Sequence, residues 1–166
     1  MRNLIAFPLL VLAVLFQTSI LSHITLLSGY ADVVLVLLAG WALQARVTTA
    51  WHWAFLTGLL VSFISRLPWP VIVVGYFSVV YVAQILQRRV WQAPLLAMFA
   101  VTFLGTVWMH LLSFLALRFL GDPLPFGDVL GLITLPSLLL NMLFAIPVYT
   151  WMRDLARWIF PSEEDL

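Results

Sequence analysis

Leu132 to Trp158 reads LITLPSLLLNMLFAIPVYTWMRDLARW. A helix crosses a bilayer with roughly 20 mostly apolar residues at about 1.5 Å each, and this stretch is long enough. One carboxamide, Asn141, lies deep within it, bracketed by Pro136 and Pro147. The stretch closes on Tyr149, Trp151, Arg153, Arg157 and Trp158, side chains suited to a membrane–water interface. A proline removes its own N–H and leaves the carbonyl four residues earlier unpaired. Pro136 would free the Leu132 carbonyl and Pro147 that of Leu143, and the Asn141 amide could satisfy such a carbonyl or one on another helix. Alternatively, Pro136 is a first-turn residue of a helix that starts there, with Thr134 as its cap. On either reading Asn141 is better explained as packing glue than as a ligand contact.

Working outward, 64% of the 166 residues are hydrophobic and 9% are charged. A soluble domain is about half apolar and a quarter charged. One core cannot bury the excess, so lipid must solvate much of the surface, and the sequence predicts an all-α integral membrane protein. All eight basic residues are arginine, and the net charge of +1 leaves no basic patch for nucleic acid. The absence of cysteine removes disulfides, thiolate metal sites and cysteine nucleophiles together. Arg2 precedes an apolar run like that of a signal peptide, but the run continues past Gln17 to Leu21 without a small-x-small cleavage site. The first helix is therefore expected to be uncleaved.

Six membrane helices are expected, at about 3–22, 32–45, 48–65, 70–87, 94–117 and 129–152, in a single domain (1–166) that ends in an acidic tail, 159–166. Ser28, Gly29 and Tyr30 form the first loop, and Asp32 is placed to cap the second helix. That helix is short, about 18 Å from Val33 to Gln44 against a hydrocarbon core of about 30 Å. With the third helix, which carries His52 near its start, it either thins the bilayer or dips in without crossing. Arg118 to Asp128 is the longest polar connection. With six crossings and both termini in the cytoplasm, Arg2, Arg46, Arg88, Arg89, Arg153 and Arg157 fall inside, and only Arg66 and Arg118 fall outside. The positive-inside rule expects that imbalance.

Ionisable groups within a membrane are expensive and suggest function. Here Asp32, Arg46, Arg66, Arg88, Arg118, Asp128 and Arg153 fall at helix ends, where they read as interfacial punctuation. Gln17, Thr18 and Ser19 sit late in the first helix and suit interhelical hydrogen bonds worth about 0.6–2 kcal/mol each. His52 and His110 have no carboxylate or second histidine at helical spacing, and a metal site needs at least three convergent ligands. There is no GxSxG elbow and no phosphate-binding glycine loop. No catalytic residue, metal or cofactor is expected.

Three short motifs then carry a resemblance: Gln17-Thr18-Ser19; Ala31-Asp32-Val33 opening the second helix; and Leu135-Pro136-Ser137 followed by Asn141 and Pro147-Val148-Tyr149. With six helices in about this length, the chain resembles the bacterial rod shape-determining MreD family. It departs from the family after Gly58, where Leu59 to Arg66 holds no acidic residue, so any role of that acid does not transfer. The resemblance implies a non-enzymatic subunit of the peptidoglycan elongation machinery in the bacterial inner membrane. It would bind MreC and through it reach RodA, a class B penicillin-binding protein and the MreB filament. Gln17, Thr18, Asp32, Pro136, Asn141 and Pro147 are the expected partner-binding or helix-packing residues. The layout is also similar to the substrate-binding subunits of energy-coupling-factor vitamin transporters. These would need an outward pocket to which Trp108, His110 and Asn141 could contribute.

Overall fold

The computed structural model describes residues 6–89, 92–122 and 124–161. Its long helices are α1 (Ala6–Ser19), α2 (Val33–Ala42), α3 (Ala50–Ser62), α4 (Trp69–Arg89), α5 (Pro94–Phe119) and α6 (Phe126–Ile159). The last is continuous but not uniform. A turn, Phe126–Asp128, leads into a π-helical stretch, Val129–Thr134, and then into the regular helix Leu135–Ile159. Among the described residues, α4, α5 and α6 are the helices both long and apolar enough to cross a membrane, the pattern of a multi-pass membrane protein. About a third of the best window of each is buried inside the protein, so most of their apolar surface needs another apolar solvent.

The architecture is organised around α2. All ten of its residues are buried, and α1, α3, α4, α5 and α6 all touch it. A helix that is apolar on every face belongs in an interior. Its far end is closed by Trp41 stacked on Trp53 of α3, with ring centroids 4.3 Å apart. The α3–α4 pair approaches closely at Gly58, where a methyl would lie 2.8 Å from Val73 Cγ2 and 3.0 Å from its Cα. Small residues at such crossings let backbones meet.

Several expectations shift. The first helix ends at Ser19 rather than at about 22, and residues 3–5 lie outside the described residues. Ser28–Tyr30 is not a plain loop. It belongs to a small antiparallel hairpin, β1 (Thr25–Leu26) and β2 (Gly29–Tyr30). The final helix begins before 129 and runs past 152 to Ile159, shortening the connection expected over Arg118–Asp128 and displacing the start of the tail. Residues 162–166 of that tail lie outside the described residues.

Candidate functional site

The hairpin leads into an extended segment, Ser28 to Asp32, that lies along α6. Its alternate N–H groups face that helix. Ser28 N–H donates to the Leu132 carbonyl (3.1 Å), Tyr30 N–H to Ser137 Oγ (3.1 Å) and Asp32 N–H to Asn141 Oδ1 (2.7 Å). The register is geometric. Four residues of strand and nine residues of helix both advance about 13 Å. A regular helix uses its carbonyls internally, so it can receive a strand only through side chains or freed carbonyls. Ser137 and Asn141, one turn apart, provide the side chains. Pro136 has no N–H to offer Leu132, whose carbonyl instead takes Ser28. Just before the proline the ladder slips to i→i+5, with Leu135 N–H donating to Leu130.

Pro136 therefore acts inside a continuous helix, and Thr134 is not its cap: its hydroxyl lies 3.0 Å from His110 Nδ1 on α5. Gly29 makes the approach possible. A methyl there would stand 2.6 Å from the Ile133 carbonyl oxygen and 2.7 Å from Ser137 N.

At the end of this segment several polar side chains converge on the start of α2. Asp32 Oδ1 accepts from Leu35 N–H (3.0 Å), the cap expected from sequence, and Gln17 Oε1 accepts from Val34 N–H (3.0 Å). The Asp32 carboxylate also takes hydrogen bonds from the Gln17 amide and from the hydroxyl of Tyr76, a buried residue of α4. Asn141 is wholly buried and donates through Nδ2 to Thr106 Oγ1 on α5 (2.9 Å). The N–H groups of Asp32, Val34 and Leu35 at the head of this buried helix are thus met by side chains from two other helices, α6 and α1, and by the helix's own cap.

Of the residues singled out from sequence, Gln17, Asp32 and Asn141 meet at this junction, while Pro136 acts further back along the segment, where it leaves the Leu132 carbonyl to Ser28. Thr18 is exposed and returns its hydroxyl to the Val14 and Leu15 carbonyls of its own helix (3.0 and 3.2 Å). Pro147 is exposed inside α6, beyond the junction. Asp32, at the end of its helix as expected, is also a half-buried member of the network. Tyr76 and Thr106 were missed, and Ser137 was quoted in a motif but given no role. The spacing Thr102, Thr106, His110 along α5 was a readable polar stripe at helical period.

Trp108, His110 and Asn141 do not share a cavity. Trp108 lines an apolar cleft between α4 and α5, His110 a cavity of about 130 Å³ against the start of α6, and Asn141 lines neither. No group of three His, Cys, Asp or Glu able to hold a metal occurs among the described residues. A long apolar groove of about 820 Å³ runs between α1 and α6 with α2 as its floor, lined by Leu9, Leu12, Phe16, Leu37, Phe144 and Val148 among others.

No family model, no curated protein and no solved structure matches this chain.

Proposed function

We propose that this chain is a non-enzymatic membrane scaffold of the MreD type. It sits in the bacterial inner membrane with six crossings and both termini in the cytoplasm, and holds the membrane span of a MreC-like partner. Through that partner it joins the RodA and class B penicillin-binding protein pair and the MreB filament, and so maintains cell shape. What supports the reading is the junction: the three motifs behind the family resemblance are scattered through the sequence, yet their Gln17, Asp32 and Asn141 meet at the buried head of α2, and Pro136 frees the carbonyl that receives the other end of the same segment. Asn141 is wholly enclosed by its own chain, so it serves the scaffold's internal packing and not the partner directly.

The groove between α1 and α6 is the seat this reading gives to the partner. It is almost entirely apolar, with Ser19 its one polar lining residue among the described residues, and Leu12, Leu15 and Phe16 are exposed along it. Extraction of the complex in mild detergent from its native membrane, with identification of what accompanies it, is the test. A single-span protein with a periplasmic coiled coil is expected, and Leu12→Trp, at an exposed side chain of the groove, should release it while the chain still inserts and folds. Recovery of a paired ATPase and coupling subunit instead would make the chain a vitamin-type binder. The dispersal of Trp108, His110 and Asn141 among separate surroundings favours the scaffold over that reading.

A further inference from the structure

His110 is an ionisable side chain at membrane depth that the junction does not use, and such groups mark function more often than packing. It lies about 14 Å from the end of α5 (Pro94–Phe119), within a hydrocarbon core of about 30 Å. Its Nδ1 stands 3.0 Å from Thr134 Oγ1 on α6. The ring borders the cavity of about 130 Å³ whose lining, His110 and Thr134 apart, is Val107, Leu111, Phe114, Phe126, Val129 and Leu130. Phe114 and Phe126 meet edge to face across the two helices, with centroids 5.6 Å apart.

Thr134 ends the π-helical stretch Val129–Thr134. A π ladder and a regular one differ by one step in acceptor, so the stretch has a second arrangement within reach, and such stretches recur at functional sites. The same stretch holds the Leu132 carbonyl that receives Ser28 N–H. His110, the π-helical stretch and the docked strand are thus linked in series.

A neutral imidazole has one donor and one acceptor, and a hydroxyl can meet either at Nδ1. The imidazolium has two donors. Thr134 can accept one, but neither the other side chains around the cavity nor the hydrocarbon offers an acceptor for the second. Water can supply it once the head of α6 moves away from α5. Arg118 and Asp122 at the end of α5 and Asp128 at the head of α6 are exposed and do not line the cavity. Tyr76 of α4 bonds to Asp32, Tyr81 borders the cleft between α4 and α5, and Tyr30 and Asp32 lie further along α6, at Ser137 and Asn141.

We propose that His110 is a proton-operated latch: acid charges the ring, the Phe126–Thr134 segment parts from α5 to hydrate it, and the grip of α6 on the strand at Ser28 loosens. The neutral ring fits the closed state and the charged ring the open one. Closure is therefore favoured in full above about pH 6.5, the ordinary value of an exposed imidazole, and loses ground as the pH falls below it. The latch is internal to the chain and does not depend on which partner fills the groove.

Hydrogen exchange of the full chain in lipid nanodiscs at pH 7.5 and 5.5, with the intrinsic pH dependence of exchange divided out, tests it. Opening at Phe126–Thr134 and at the Ser28 amide should rise by about tenfold across that interval, the change expected for uptake of one proton. H110Q keeps a hydrogen-bonding side chain that cannot be charged, and should be equally protected at both values. D128N should respond to acid as the wild type does. Should H110Q fail to insert, T134V decides, because it removes the latch bond and should raise opening already at pH 7.5. The proposal falls if the wild type opens equally at the two pH values, if H110Q keeps the acid response or D128N loses it, or if T134V is as protected as the wild type at pH 7.5.

Discussion

Thr102 and Thr106 sit one turn apart on α5, both buried, and differ in a single respect. The Thr106 hydroxyl accepts from Asn141, whereas that of Thr102 has no hydrogen-bond partner. A buried polar group left unpaired costs about 1–3 kcal/mol, and one already unpaired loses nothing when removed. Thr102→Val should therefore leave stability unchanged or raise it by up to about 1 kcal/mol, while Thr106→Val should lower it by about 1–2 kcal/mol. Asn141→Leu should cost more than Thr106→Val, because it also strands the Asp32 N–H. Reversible unfolding in mixed detergent micelles measures all three, and equal effects of the two threonine changes would dismiss the network as a stabilising unit. From sequence, Gln17 and Asn141 stood out as carboxamides in apolar surroundings that need a partner, and Asp32 as a helix cap. Their convergence was not legible. Asp32 and Asn141 are 109 residues apart, and threonine, serine and tyrosine are too ordinary in membrane helices to announce a role.

Among the elements, the hairpin and its extended continuation are the least predictable from pattern and the most dependent on one residue. Leu27, exposed, holds a φ of 55°, in the left-handed region that favours glycine, so the turn depends on the docking that follows it. Gly29 is where that docking is tightest. Gly29→Ala would drive a methyl into the backbone of Ile133 and Ser137, and neither atom can swing away as a flexible side chain does. Hydrogen exchange at the Ser28, Tyr30 and Asp32 amides should then speed up by about tenfold or more, since local opening exposes them. Unchanged protection would mean that the segment is not held by α6. The helices themselves were largely readable from length and apolarity, with ends misplaced by a few residues where caps and the π-helical stretch decide. A strand that pairs with a helix leaves no alternation to find, because its partners are a freed carbonyl and two side chains.

For the whole molecule, the charge asymmetry legible in the sequence has a counterpart in space. Arg46, Arg153 and Arg157, assigned together by the arginine count, line one cavity at one end of the bundle. The proposed topology has a direct test, because a chain without cysteine accepts one as a unique label. Gln92 and Asp122 are exposed on either side of α5. Gln92→Cys should resist a membrane-impermeant thiol reagent added to intact cells, and Asp122→Cys should react. Labelling of both from outside would mean that α5 does not cross, and the six-crossing arrangement would fail. What sequence could not supply was how a helix as short as α2 takes part. Its ten residues cover about 15 Å, and the extended segment ahead of it adds about as much.

That segment also constrains how the protein can be made. Tyr30 and Asp32 bond to residues 107 and 109 positions further along the chain. At roughly 5–20 residues per second, the ribosome completes their partners about 5–20 s after them. Through that interval their amides cannot rest in hydrocarbon, where each unpaired group costs several kcal/mol. The strand and α2 must wait in water or under the shelter of the insertion machinery until α6 emerges. The second helix to be synthesised is among the last to reach its place.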